Sequence, residues 1–537
     1  MNARPRPIVC LVLLAIAAPA VAGAQARRAR ARAVPEPEIV RVEQGLLRGS
    51  REGQVVVYRD IPFAAPPVGP LRWLPPEPPT PWQGVREAAE FGPPCPQLDD
   101  NGAYFGDEDC LQLNVWTPAV RSPGKLLPVM MFIHGGGHVQ GSATVEAGPG
   151  EILYDGSELA RRGRAVAVTV QYRLGALGYV SIPEIDAERG DGGSGNLGTL
   201  DLVAALGWLH RNVAAFGGDP DRVMVFGESA GAVETCMLLV ATPAAGLFSS
   251  ALMESGGCSA HSLSTAHTTA AELVSAVGCS GATDIAACMR ALPADDVVLA
   301  LPSPPSVSGP QGPYQPVVDG VVIPDDPLDM IAAGRHHQVP LVVGANAQET
   351  GRDAPLTMTE DQYRAAVLVL AGGNQALADL ALAHYPVSDY GSPRAAYVAL
   401  SSDVKFICTA RRVVRAARSG QDLPVWRYFF ARAYQGGSAL LEAYGAYHGA
   451  ELPYVFGDLH IAGYDPPPEE EALSDAIVGA WTSLAANGNP GVVQGVPWPQ
   501  AASGDDPYLR LDVPVSAGDG VRNEQCDFWD GILSVAR

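Results

Sequence analysis

Three side chains and a run of glycines in this sequence could together carry out acyl transfer. Ser229 stands in Gly227-Glu228-Ser229-Ala230-Gly231, after the apolar, β-prone run Val223-Met224-Val225-Phe226 and before mostly small or helix-compatible residues up to Val240. Strand, sharp turn and helix form the context in which a G-x-S-x-G serine becomes a nucleophile. The glycines at 227 and 231 let strand and helix approach, and the turn holds the serine in a strained conformation at a helix N-terminus. Free N–H groups and the helix dipole favour negative charge there. A serine hydroxyl still needs a base, and the base needs an acid to fix its tautomer and stabilise its cation. With this elbow the expected chain order is serine, acid, histidine. Glu349 follows the apolar run 339–344, and His448 lies in a glycine-containing loop after the run 424–430. Sheet-edge loops would deliver both beside Ser229. His134-Gly135-Gly136-Gly137-His138 follows the apolar run Leu127–Ile133. These glycines would expose backbone N–H groups to a developing oxyanion.

The elements that must position these groups alternate along the chain. The run 127–133, apolar at every position, suits a strand buried on both faces, and 165–172 and 339–344 read as further buried strands. Residues 200–216 read as an amphipathic helix, with Leu202, Leu206, Leu209 and Val213 at helical spacing, stopped by Gly217-Gly218-Asp219-Pro220. A short strand is expected at 249–253, helices at 268–277, 284–292 and 472–487, and a helical insertion at 361–383 broken at Gly372-Gly373. At the start, 39–47 and 54–58 read as one β-hairpin. The pattern is α/β, a mostly parallel sheet covered by helices on both faces, with helical insertions. No internal repeat or linker divides it, so residues 37–537 read as a single domain.

The chain has 537 residues, 47% hydrophobic and 18% charged, with a net charge of −22. Such an acidic surface disfavours nucleic acid and anionic membranes, which need basic patches. Arg4 and Arg6, the apolar run 8–18 and Ala22-Gly23-Ala24 form a cleavable signal peptide over 1–24, and the basic stretch within 25–36 a disordered leader. No other run of about 18 apolar residues exists, so no membrane span is expected in the mature chain, and its location is secreted or periplasmic. Of nine cysteines, Cys10 leaves with the signal. The remaining eight suggest disulfides of open connectivity, and none has the spacing of a metal site.

The stretches EDCLQLNVW at 108–116, HGGG at 134–137, GNLGTLDLVAALGWL at 195–209, FGGDPDRVMVFGESAGA at 216–232, PVVDG at 316–320, GANAQET at 344–350 and YHGAELPYVFG at 447–457 resemble the type-B carboxylesterases. That family includes bacterial para-nitrobenzyl esterases, mammalian carboxylesterases and cholinesterases. The resemblance implies an α/β-hydrolase fold with Ser229 as nucleophile, Glu349 as acid and His448 as base. It implies an oxyanion hole from the N–H groups of Gly136, Gly137 and Ala230. It also implies disulfides Cys95–Cys110, Cys279–Cys288 and Cys408–Cys526, leaving Cys236 and Cys258 paired or as thiols, and a structural ion pair of Arg72 with Glu108. Tyr104, Phe105, Glu228 and Tyr314 would line the substrate pocket. The cholinesterase tryptophan between the first two cysteines is absent here, which argues against choline esters. The expected activity is hydrolysis of a small-molecule carboxylic ester through an acyl-enzyme, without metal or cofactor, by a monomer or weak homo-oligomer. The alternatives are a specialised hydrolase of carbamate, lactone or polyester substrates, and a catalytically inactive esterase-like interaction protein.

Overall fold

The computed structural model describes residues 38–537 apart from 121–123, 191, 304–305, 309–311, 502–505 and 537. The expected signal peptide and leader lie outside the described residues. The largest sheet has eleven strands. In chain order they are β1 Ser50–Glu52, β2 Val55–Pro62, β3 Gln112–Pro118, β4 Leu127–Ile133, β5 Val166–Val170, β6 Gly218–Glu228, β7 Ser250–Glu254, β8 Leu341–Asn346, β9 Val425–Phe430, β10 Pro507–Leu511 and β11 Ser516–Asp519. Across the sheet they lie in the order β11-β10-β9-β8-β7-β6-β4-β5-β3-β2-β1. The run from β10 to β5 is parallel throughout, and the strands outside it pair antiparallel.

The longer helices that matter for the site are α1 Leu197–Asn212, α2 Ala230–Val240, α3 Glu360–Leu370, α4 Gln375–His384, α5 Pro393–Ser402, α6 Cys408–Gly420, α7 Pro468–Asn487 and α8 Asn523–Ala536. Alternation along the central strands decides which helix covers which face. Val129, Met131 and Ile133 of β4, with Val223 and Val225 of β6, face the core that contains Leu206 of α1, Met237 of α2 and Val413 of α6. Met130 and Phe132 of β4, with Met224 and Phe226 of β6, face the opposite core, filled by Leu473, Ile477 and Trp481 of α7. Because both faces are dry, β4 and the Val223–Phe226 part of β6 have no polar side, which is why these stretches are apolar at every position. Each such fully buried side chain contributes about 1.5–3 kcal/mol. A third, smaller core joins α3, α4 and α5 to Trp529 of α8.

Two expectations change in detail. The N-terminal segment makes two hairpins rather than one: Ile39–Val42 pairs with Gly45–Arg48, and β1 pairs with β2. Each connection is short enough for the strand to fold back on its immediate neighbour. Helix α1 begins three residues earlier than the apolar spacing suggested, and 213–216 tighten into a 3-10 turn that ends at Gly217, φ 81°.

Candidate active site

Ser229 sits between β6 and α2 with φ 58° and ψ −120°, a conformation that a residue with a side chain adopts only when its surroundings impose it. The neighbouring glycines show how. A Cβ on Gly231 would lie 1.9 Å from the carbonyl oxygen of Ile133, and one on Gly227 would lie 2.5 Å from the Gly231 carbonyl carbon. Strand β4, strand β6 and helix α2 therefore meet at van der Waals distance, and no other residue type fits. The serine N–H donates to the Glu254 carbonyl at the end of β7 (2.9 Å), and its carbonyl accepts from Ala232 and Val233 at 3.0 and 3.1 Å.

The glycine run leaves β4 directly beside this turn. A Cβ on Gly135 would be 2.8 Å from the Cβ of Ser229. Gly136 and Gly137 take φ 113° and 64°, and the Gly136 carbonyl accepts from Val139 and Gln140 at 3.2 and 3.1 Å, which winds the loop. Buried groups hold it from outside: Tyr172 donates its hydroxyl to the His134 carbonyl (2.9 Å), and Gln97 clamps Gly141 with bonds to its N–H (2.8 Å) and carbonyl (2.9 Å). Burial pushes the His134 imidazole down to about 4, so this ring is neutral and structural. Among the described residues the N–H groups of Gly136, Gly137 and Ala230 donate to no protein acceptor.

Glu349 comes from the turn that follows β8, and His448 from a turn past the short helix Ala439–Tyr444 that follows β9; the two strands are hydrogen-bonded neighbours. Glu349 Oε2 is 2.8 Å from His448 Nδ1, the Glu349 carbonyl accepts the His448 N–H (2.9 Å), and Glu349 Oε1 accepts the Asn346 N–H (2.7 Å). The carboxylate is fully buried and held at both oxygens, and the backbone carbonyl ties Glu349 to His448 a second time. The Phe406 ring packs on the imidazole, 4.6 Å between centroids. The other nitrogen, Nε2, lies 3.2 Å from Oε1 of Glu228, the residue before the serine. The Ser229 hydroxyl itself is in no hydrogen bond among the described residues. Burial works against the imidazolium, but Glu228 and then Glu349 outweigh it and push His448 up to about 9. Burial pushes the Glu228 carboxyl up to about 7; His448 opposes this and Glu349 adds to it.

Sequence reasoning missed two further carboxyls behind the site. Glu254 pairs in register with Glu228 across β7 and β6, and is followed in the same row by Gly344 and Tyr428. The Trp481 indole donates to Glu254 Oε1 at 2.8 Å. Glu451, three residues beyond His448, accepts from the side chain of Asn346. Burial, then Glu228 and Glu349, pushes Glu451 up to about 8, and burial with Glu451 holds Glu254 well above the usual carboxylate range. One signal was available: a glutamate closing the apolar run Ser250–Glu254 has no solvent to face.

Tyr314 and Gln140 help to line a cavity of about 530 Å³ beside the glycine loop, and the Tyr314 hydroxyl donates to the Leu301 carbonyl (3.1 Å). Tyr104 and Phe105 do not join its lining. They form a two-residue ribbon with Gln97–Leu98, and Phe105 is 41% exposed. Glu228 faces the imidazole rather than this cavity. The cysteine sulfurs stand at bonding distance in four pairs: Cys95 with Cys110, Cys236 with Cys258, Cys279 with Cys288, and Cys408 with Cys526. Arg72 and Glu108 make a two-pronged ion pair at 2.5 and 2.7 Å. Among the described residues no cluster of three His, Cys, Asp or Glu side chains could hold a metal, and no helix is long and apolar enough to cross a membrane.

Known proteins match nearly the whole chain. The model of the carboxylesterase family matches residues 36–529. A para-nitrobenzyl esterase of Bacillus subtilis (strain 168) is 33% identical, over 91% of this chain and 97% of the relative. A medium-chain fatty acyl-CoA hydrolase precursor of Anas platyrhynchos is 33% identical over 92% of each chain, and a fumonisin B1 esterase of Sphingopyxis macrogoltabida 34% identical over 90% of this chain and 88% of the relative. A solved PNB esterase structure superposes with a TM-score of 0.78 at 33% identity, over 92% of this chain and 99% of that one. With a family match of this extent and a parallel sheet feeding an elbow serine, the chain belongs to the carboxylesterase family and has the α/β-hydrolase fold.

Proposed function

We propose that the chain hydrolyses carboxylic esters through an acyl-enzyme on Ser229. His448 takes the serine proton as the hydroxyl oxygen attacks the ester carbonyl. Glu349 holds the imidazole in the tautomer that leaves Nε2 free to act and stabilises the cation that forms. The N–H groups of Gly136, Gly137 and Ala230 receive the oxyanion, where prearranged donors in a dry site lower the barrier most. His448 then returns the proton to the leaving alcohol, and water repeats the sequence on the acyl-enzyme. The cavity beside the glycine loop, with Tyr314 in its wall, takes one arm of the ester. The 2.8 Å contact of Glu349 with His448, on the segments that follow adjacent strands, carries this reading.

Kinetics on a panel of nitrophenyl esters test it. Ser229→Ala should lower kcat/KM by roughly three or more orders of magnitude while leaving the melting temperature nearly unchanged. Equal turnover by variant and wild type would refute the assignment. The four disulfides, together with the basic, apolar and small-residue order of the first 24 residues, support export from the cytoplasm.

A further inference from the structure

A second cavity, of about 400 Å³, opens at the carboxyl ends of β8, β9 and β10. Its wall carries three guanidinium groups, Arg394 of α5, Arg510 of β10 and Arg522, against one carboxylate, Asp403. In a chain with a net charge of −22, such a local surplus of positive charge runs against the background. The three arginines are not equivalent. Arg522 is neutralised by the fully buried Asp403, with Nε at 2.9 Å from Oδ1. Arg510 has Asp512 at 2.8 Å, but its side chain stays 41% exposed. Arg394 has no carboxylate partner among the described residues. Its Nη2 donates to the Gly351 carbonyl (2.6 Å), and its buried Nε has no acceptor. A partly buried guanidinium left this way still has donors in a planar fork that matches a carboxylate or phosphate edge. The Tyr390 hydroxyl, 3.5 Å from Arg522 Nη2, adds a neutral donor to the same wall.

We propose that this cavity binds a small oxyanion, either phosphate or a di- or tricarboxylate, held between Arg394 and Arg510 with Arg522 and Tyr390 behind. The site is separate from the ester-binding cavity: the two share no lining residue. Arg394 nevertheless grips Gly351, and the Gly351 N–H donates to the Gln348 carbonyl, in the turn that carries Glu349. An occupant would therefore brace the acid's turn from behind.

Calorimetric titration of the full chain with inorganic phosphate, and separately with citrate, tests this at an ionic strength held constant with sodium chloride. Wild type should show one saturable site for at least one of the two anions, and whichever binds identifies the class. Arg394→Gln and Arg510→Gln should each weaken that binding by about tenfold, the size expected for loss of one charge-assisted donor pair. Arg510→Gln should turn over nitrophenyl esters within about twofold of wild type in anion-free buffer, which separates loss of the site from loss of the fold. Arg510 lies at the rim, so its variant keeps the test open even if Arg394→Gln misfolds. Absence of saturable binding of either anion by wild type, or equal binding by wild type and Arg510→Gln, would overturn the proposal.

Discussion

Glu228 Oε1 stands 3.2 Å from His448 Nε2, while Glu349 Oε2 stands 2.8 Å from Nδ1, so one imidazole is bracketed by two buried carboxyls. Glu349 fixes the ring. In the mechanism proposed above, Nε2 is the base for Ser229; Glu228 stands against that same nitrogen, and its charge favours the protonated ring. Replacing Glu228 by Gln removes the negative charge and leaves the shape. The imidazole then loses its proton at lower pH, so the acid limb of kcat/KM should move down by roughly one pH unit. Profiles of wild type and Glu228→Gln, recorded side by side, check the direction. An unmoved limb, or one shifted upward, would show that Glu228 does not set the base.

Glu349→Gln should be far more damaging. It removes the charge that stabilises the imidazolium, and it can present an N–H where Nδ1 needs an acceptor. A loss of roughly two to four orders of magnitude in kcat is expected, with little change in KM. Glu349→Asp keeps the charge but shortens the reach to both His448 and the Asn346 N–H, so it should fall between.

Gly231→Ala should fail by unfolding rather than by chemistry. The new methyl would lie 1.9 Å from the Ile133 carbonyl oxygen, a backbone atom of a central strand that cannot swing aside. A loss of several kcal/mol is expected, in the range of severe overpacking. Thermal denaturation reads it directly. A variant that melts with the wild type would mean that β4 and α2 are looser than their contact implies.

Stability should decline as pH rises through neutrality. Glu228 and Glu451 are held up to about 7 and about 8, and Glu254 well above its ordinary value, chiefly by burial. The folded chain therefore binds more protons than the unfolded one. Their contribution is fully present below the unfolded carboxyl value, near 4.5, and is lost as pH climbs through the folded values. His448, held up to about 9, acts in the same direction, its contribution fading from its unfolded value near 6.5 upward. Melting temperatures between pH 5 and 9 should fall for wild type, and fall less steeply for a Glu254→Gln, Glu451→Gln double variant.

What could be read from the chain was what local backbone chemistry dictates. The elbow was legible because only glycine meets the steric demand at 227 and 231. The glycine loop was legible because it directly follows an all-apolar strand. Glu349 and His448 could be picked out by chain order and by the strands before them. Glu254 escaped because its proximity to Glu228 is a matter of strand register between segments that sequence does not align. The pairing of Cys236 with Cys258 escaped for a similar reason: it depends on how α2 settles against the segment leaving β7. The family resemblance places Tyr104 and Phe105, in the loop between the first two cysteines, at the pocket; here their backbone pairs with Gln97–Leu98 and neither lines the cavity beside the glycine loop. The three-arginine cavity gathers residues from 394, 510 and 522, and no motif joins those positions.

The Cys236–Cys258 bond bears on how the protein should be produced. It clamps the helix that starts beside Ser229 to the segment leaving the strand whose final carbonyl receives the serine amide. Material made in a reducing bacterial cytosol would leave the ribosome with that clamp open. Batches could then differ in specific activity while looking alike by yield and purity. Counting free thiols after denaturation, next to titration of active sites, would tell an unoxidised preparation from an inactive one.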